Sequence, residues 1–271
     1  MKLDGCRALI TGASAGLGRE FARLLAKRAR SLVLVARRRE RLEELSVELS
    51  KENPDLIVHI RVVDLAETRQ VQQLAESLEQ ERIEIDLLIN NAGLGDLGPF
   101  ATSESDRIER MLLVNMFALT LLTRKLLPNM LSQRRGGILN VSSSAGFLPI
   151  PEFSVYAATK AYVTSFSEGL RAELRGTGIS VCALCPGPVH TEFTQVAQRK
   201  TNTPLHPPGA EIVYVSATNV ARIGLEAIEH DRPLVIPGLV MKIGMAIVRL
   251  LPLAVLRLGS GISAKRTRLQ Q

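Results

Sequence analysis

The chain has no tryptophan, and only 4% of its 271 residues are aromatic. A protein that binds nucleic acid by stacking needs rings on which bases can rest. A net charge of +7 keeps nucleic acid in view, but the ring shortage and the absence of a DNA-reading motif exclude that class. Cysteine is also scarce, limited to Cys6, Cys182 and Cys185. Cys182 and Cys185 have C-x-x-C spacing, yet they sit in an apolar run from Ile179 that reads as a strand. An odd separation on a strand turns two thiols to opposite faces. A redox pair or metal site is therefore not expected, and buried apolar cysteines are. Internal repeats are absent, and glycine and proline stand at ordinary levels. The start, Met1 to Gly5, lacks the basic and apolar regions of an export signal. A reduced, cytoplasmic setting is the expectation.

What the chain does have is a dinucleotide-type start. The apolar run Cys6 to Ile10 leads into Thr11-Gly12-Ala13-Ser14-Ala15-Gly16-Leu17-Gly18, and a helical pattern follows. Glycines in a strand-to-helix turn let the backbone approach a pyrophosphate, and the helix N-terminus offers free N–H groups. The second apolar run, Ser31 to Ala36, ends in Arg37-Arg38-Arg39. An acidic residue there would bind a ribose 2′-OH, whereas cations suit a 2′-phosphate. Arg37 is the first choice for that phosphate, with Ser14 as a hydroxyl partner. Arg38 and Arg39 rank behind it. A solvated helix start is the competing reading of the whole cluster.

Further runs, Leu56 to Val63, Ile85 to Ile89, Ile138 to Val141, Ile179 to Leu184 and Pro233 to Pro237, alternate with helical patterns. The expected fold is α/β. It is a doubly wound (Rossmann), mostly parallel sheet of seven strands, with helices on both faces and a C-terminal helical extension. Ligands then gather at the strand C-termini. The polar clusters Asp64, Asn90 to Gly93 and Ser142 to Ser144 fall there. Residues 1–238 form the dinucleotide-binding and catalytic domain, and residues 239–271 an apolar helical extension with a basic tail.

Tyr156 and Lys160 are four apart, one turn along one helix face. An ammonium beside a phenol favours the phenolate, so Tyr156 is expected to titrate below its usual ~10. Such a Tyr can exchange a proton with a reacting oxygen. Asn115, a polar amide among apolar neighbours in a helix from about Asp106 to Met130, needs partners. It either satisfies a packing defect or holds a water or a Lys at the site.

Together these motifs resemble the short-chain dehydrogenase/reductase family over about residues 2–238. The family's Thr-Gly-x-x-x-Gly-x-Gly stands as Thr11 to Gly18, its Asn-Asn-Ala-Gly as Asn90 to Gly93, and its Tyr-x-x-x-Lys as Tyr156 to Lys160. Many members place the catalytic Ser thirteen residues before the Tyr, which selects Ser143 over Ser142 and Ser144. The resemblance implies hydride transfer between a nicotinamide and a carbon bearing oxygen. Tyr156 would be its general acid or base and Ser143 the residue that orients the oxygen. Lys160 would tune the Tyr and bind the nicotinamide ribose, and Asn115 would place a water beside Lys160. Gly12, Gly16, Leu17 and Gly18 would hold the pyrophosphate, and Asp64 the adenine. Asn91, Ala92 and Gly93 would line the cofactor cleft. Pro186, Gly187, Val189 and Thr191 would meet the nicotinamide end. NADP(H) is the implied cofactor and NAD the second choice; no metal is implied. A sensor or scaffold without turnover is the alternative, but it has no chemical need for Ser143, Tyr156 and Lys160 together.

The substrate is expected to be a lipophilic carbonyl or secondary alcohol. Phe147, Leu148, Pro149, Ile150 and Phe153 precede the Tyr, and a flap at about residues 194–213 carries Val196, Leu205 and Ile212. His190 reads as a strand-end residue rather than a catalytic one. From Leu239 to Leu258 the chain is nearly all apolar, but Lys242, Arg249 and Pro252 interrupt it before the ~18 residues a membrane span needs. Two short helices split near Pro252 and lying over the pocket mouth are expected. Their cover is the domain itself, a sister subunit of a dimer or tetramer, or an anionic lipid surface touched weakly through 239–271.

Overall fold

The computed structural model describes residues 1–199, 213–252 and 254–257. Seven strands form one sheet: β1 (Arg7–Thr11), β2 (Ser31–Ala36), β3 (Ile57–Val62), β4 (Leu87–Asn90), β5 (Gly136–Val141), β6 (Ile179–Leu184) and β7 (Leu234–Val235). Their order is β3-β2-β1-β4-β5-β6-β7, and every pairing is parallel. The order reverses between β1 and β4, so the crevice beyond their C-terminal ends is the switch point where such sheets bind ligands. Strands β2, β4, β5 and β6 are buried along their whole length, which is why they read as continuous apolar runs.

Helices α1 (Gly16–Ala26), α2 (Arg39–Glu52) and α8 (Ala217–Glu229) cover one face, with Phe21, Leu25, Leu42, Leu45 and Val220 buried against the strands. Helices α3 (Thr68–Gln80), α4 (Ser105–Leu112), α5 (Leu119–Ser132) and α6 (Ser154–Glu173) cover the other. Cys182 packs into the first core, while Cys185 faces Thr164 of α6; both are buried free thiols on opposite sides of the sheet.

Helices α4 and α5 are one continuous rod, because residues Leu113–Ala118 between them form a π-helical turn. This rod, Ser105–Ser132, is the only described helix long and apolar enough to cross a membrane, with an 18-residue stretch of mean hydropathy 1.3. Its Met111, Val114, Ala118, Leu122 and Met130 are instead buried in the domain, as in the core helix of a folded domain.

Two segments differ from the sequence reading, while the C-terminal extension divides near Pro252 as expected. β7 keeps only Leu234 and Val235, because Pro233 and Pro237 lack the N–H a longer ladder needs. The expected flap begins with a helix, α7 (Glu192–Ala197), whose first turn is capped by the Thr191 hydroxyl accepting from Phe193 N–H at 3.4 Å. Leu205 and Ile212 lie outside the described residues. The extension forms α9 (Leu239–Leu250), then breaks at Pro252 before a short helical turn at 254–257.

Candidate active site

Tyr156 and Lys160 leave the first turns of α6 toward the C-terminal end of β5. Both are buried. Lys160 Nζ donates to Val141 O at 2.9 Å and lies 5.6 Å from the centre of the Tyr156 ring. Ser142 donates to Lys160 O at 2.7 Å, so its hydroxyl is spent joining β5 to α6. Ser143 is free of that duty. Its hydroxyl accepts from Ala145 N–H at 3.1 Å, donates to Pro186 O at 3.5 Å, and is near enough to the Tyr156 phenol to pull its pKa down. The register that selects Ser143 is thus the one that brings it to the Tyr.

The expectation that Lys160 pulls the Tyr156 pKa down does not hold. Burial pushes the phenol up to about 12, against a smaller opposing pull from Ser143. Burial also pushes Lys160 down to about 8. The reason is placement: the ammonium is turned to the Val141 carbonyl, so desolvation outweighs attraction for both groups.

Asn115 sits in the π-helical turn and is buried. Its amide donates to Leu94 O at 2.9 Å and to Thr159 Oγ1 at 3.0 Å, and its Oδ1 accepts from Leu94 N–H at 2.8 Å. It therefore fastens the β4 loop to α6. A Cβ on Gly93 would lie 3.4 Å from Lys160 Nζ and 3.6 Å from Asn115 Oδ1. Gly93 thus lies in ordinary contact distance of both Lys160 and Asn115.

The glycine turn stands opposite. Gly12 has φ +68°, and a Cβ there would lie 2.9 Å from Asn91 Nδ2. A Cβ on Gly18 would clash with Gly12 O. The N-cap of α1, Ala15, supplies no side-chain hydrogen bond, so the first N–H groups of α1 have no side-chain cap. A cradle only glycine fits, at an uncapped helix start, suits a pyrophosphate. Thr11, not singled out from sequence, locks it. Its hydroxyl accepts from Asn91 N–H at 2.9 Å and Ala92 N–H at 3.0 Å, while Asn91 Nδ2 donates to Thr11 O at 2.8 Å.

The short chain dehydrogenase family model matches residues 7–202. Sulfoacetaldehyde reductase 2 of Chromohalobacter salexigens is 36% identical over 82% of this chain and 92% of its own. The NADP-dependent 3-hydroxy acid dehydrogenase YdfG of Escherichia coli is 36% identical over 69% of this chain and 75% of its own. A short-chain dehydrogenase from Sphingobium yanoikuyae, solved with NADPH, superposes with TM-score 0.78 at 30% identity, covering 98% of this chain and 96% of that one. The chain is a short-chain dehydrogenase/reductase. It is an oxidoreductase acting between alcohol and carbonyl with a nicotinamide dinucleotide.

The remaining expected residues of this dehydrogenase fall around the same crevice. Leu17 and Val189 pack partly buried against the core. Gly187 lies under α9, since a Cβ there would come within 2.9 Å of Met241. Thr191 reaches back over the glycine turn, its Cγ2 3.2 Å from where a Gly16 Cβ would be. Asp64 accepts from Ala66 N–H at 3.0 Å and from Arg110 at 2.6 Å, so much of its oxygen capacity is already used within the domain. At the end of β2 it is Arg38 whose guanidinium reaches Ser14 Oγ, at 3.3 and 3.4 Å. Arg37 instead lies 3.9 Å from Asp64. Arg38 ranked second in sequence because a residue's position past a strand end does not say where its side chain points.

Phe153 stacks on Tyr156 with ring centres 4.2 Å apart, and Phe193 of α7 tilts against it at 5.3 Å. Leu94, Ile150 and Val155 pack around them. Val196 is 58% exposed and does not join this wall. Phe147 lies beneath Arg249 of α9, 5.6 Å from ring centre to guanidinium. His190 is exposed and stacks on Tyr214. Asp96, also missed from sequence, is buried and holds Arg199 at 2.6 and 2.8 Å, Arg107 at 3.2 Å and the Ser103 hydroxyl. It ties the loop after β4 to the end of the α7 segment.

Proposed function

We propose that the chain is an NADP(H)-dependent carbonyl reductase or alcohol dehydrogenase for lipophilic substrates. The observation that carries this reading is the Tyr156 phenol held between Ser143 and an apolar wall of Phe153, Phe193, Leu94 and Ile150. A charged substrate group against that wall would lose water without pairing.

The nicotinamide supplies or accepts the hydride. Gly12, Gly16, Leu17 and Gly18 cradle the pyrophosphate, and Asn91, Ala92, Gly93, Pro186, Gly187, Val189 and Thr191 border the nicotinamide half. Asp64 lies on the adenine side, and Arg37, Arg38 and Ser14 take the 2′-phosphate. Ser143 donates to the substrate oxygen and orients it. Tyr156 is protonated at neutral pH, as a phenol is by default, and it would deliver that proton as negative charge grows on the oxygen. Lys160, 5.6 Å from the Tyr156 ring centre, would hold the nicotinamide ribose. Asn115 acts through Gly93, Leu94 and Thr159 by keeping the β4 loop and α6 in register.

Residues 1–238 carry this chemistry and 239–271 are the extension, whose helix α9 sets Met241 and Arg249 against Gly187 and Phe147. Exposed Leu112 and Phe117 on the α4–α5 rod, beside a hollow lined by Ile108 and Leu113, suit a second copy of the chain. Leu239, Ile243, Ile247 and Leu250 form an exposed ridge on the outer side of α9. From 232 to 271 the chain has seven cations and no acid. That combination supports a weak contact of a cytoplasmic enzyme with anionic lipid.

The test is NADPH oxidation followed against ketones and aldehydes of graded chain length, with sulfonated and carboxylated aldehydes alongside. Turnover that improves with apolar chain length supports the reading; a preference for the anionic aldehydes overturns it.

A further inference from the structure

Glu192 is the first residue of α7. It accepts from Arg41 at 2.6 Å and from Arg38 at 3.0 Å. Arg38 also touches Ser14 Oγ. Three separate segments thus converge: the glycine turn, the start of α2 and the loop after β6. They do so at the end of β2, where a ribose 2′-phosphate would lie. A carboxylate and a phosphate monoester ask for the same guanidinium N–H groups. Both arginines and the glutamate are about half exposed, so each pair is weak and exchangeable. The arginines in turn hold the Glu192 carboxyl below its usual range, Arg41 more than Arg38, so it is ionised at neutral pH. A phosphate monoester brings about −1.5 to −2 charges and three acceptor oxygens against one charge and two oxygens.

We propose that Glu192 stands in for the 2′-phosphate: it holds Arg38 and Arg41 in the cofactor-free protein, and a 2′-phosphorylated nucleotide takes both arginines from it. Arg41 is thereby a phosphate ligand, and Glu192 is a specificity-determining residue that competes with the phosphate. The exchange also reaches the substrate wall. Thr191, adjacent to Glu192, rests on Gly16, and Phe193, on its other side, packs on Tyr156. Releasing Glu192 removes the tether of this turn to α2, so the phosphate on the cofactor is sensed beside the proton donor. The proposal rests on the NADP(H) reading above, and the experiment separates the two.

Binding of 2′,5′-ADP, 5′-AMP, NADPH and NADH is titrated at fixed ionic strength to wild type, Glu192→Gln and Arg41→Ala. Glu192→Gln is expected to tighten 2′,5′-ADP and NADPH by roughly twofold to tenfold, while 5′-AMP and NADH stay within about twofold. Arg41→Ala is expected to weaken the 2′-phosphorylated pair alone. Hydrogen exchange in residues 192–197 should rise when 2′,5′-ADP is added to wild type, and be high from the start in Glu192→Gln. Glu192→Gln binding of 2′,5′-ADP equal to or weaker than wild type overturns the proposal, while a wild-type preference for 2′,5′-ADP over 5′-AMP would leave the NADP(H) reading standing. If wild type shows no such preference, both fall.

Discussion

Lys160 Nζ lies 5.6 Å from the centre of the Tyr156 ring, yet its hydrogen bond goes to Val141 O. The two residues share one helix face, but the ammonium serves the end of β5. Burial therefore governs both groups, raising the phenol and lowering the ammonium. The pair is a buried phenol and a buried amine side by side.

Tyr156→Phe keeps the ring between Phe153 and Phe193 and removes the proton. Turnover should fall at least about a hundredfold with NADPH binding retained. Near-normal turnover in steady-state assays would remove Tyr156 from the acid/base role.

Lys160 carries a stability cost with a definite pH window. Below pH about 8 it is charged in both folded and unfolded chains, and the burial penalty is present in full. Between about 8 and its ordinary 10.5 the folded protein loses the proton first, so wild type should gain stability as pH rises. Lys160→Met should be more stable than wild type by roughly 1–3 kcal/mol at pH 7, and inactive. Thermal melts whose difference does not narrow between pH 8 and 10 would contradict this.

Arg37→Ala and Arg38→Ala should each weaken NADPH by about 1.5–3 kcal/mol, the range for hydrogen bonds to charged groups, and leave NADH nearly unchanged. Titration showing equal losses for both cofactors would mean that neither arginine reads the phosphate.

Asp96→Ala strips a buried carboxylate from Arg199, Arg107 and Ser103, so unfolding free energy should drop by roughly 2–4 kcal/mol. Arg199 first, with Ser103 and Arg107, holds the Asp96 carboxyl below its usual range against the opposing effect of burial. Its contribution is present above the unfolded value of about 4 and is lost as pH falls through the lower folded one. Denaturation curves of the variant and wild type should therefore converge at acid pH. The substrate KM should also rise, because the loop after β4 would no longer hold the end of α7.

Ile243→Glu with Ile247→Glu places two acids on the outer ridge of α9 without touching Met241 or Met245. Sedimentation with anionic vesicles should be lost while NADPH binding and folding are kept. Removing residues after Gly238 should do the same and also shift the substrate profile by uncovering Gly187 and Phe147. A variant that sediments like wild type would rule out the lipid contact.

The sequence by itself determined the sheet, the glycine turn and the placing of Tyr156 and Lys160 on one helix face. These depend on local rules: buried parallel strands are continuously apolar, glycine alone fits the turn around Gly12, and a four-residue spacing fixes a helix face. The tertiary structure decided what each side chain faces. It turned Lys160 to Val141, Arg38 rather than Arg37 to Ser14, and Glu192 to two arginines about 150 residues earlier in the chain. It also made Thr11 the lock of the glycine turn and Asp96 the tie to Arg199. Those partners lie on segments joined only by the sheet, and pairing energies between distant charges leave no periodic trace in a sequence. The π-helical turn at Asn115 is of the same kind, because its buried amide finds Leu94 and Thr159 only once β4 and α6 are in place.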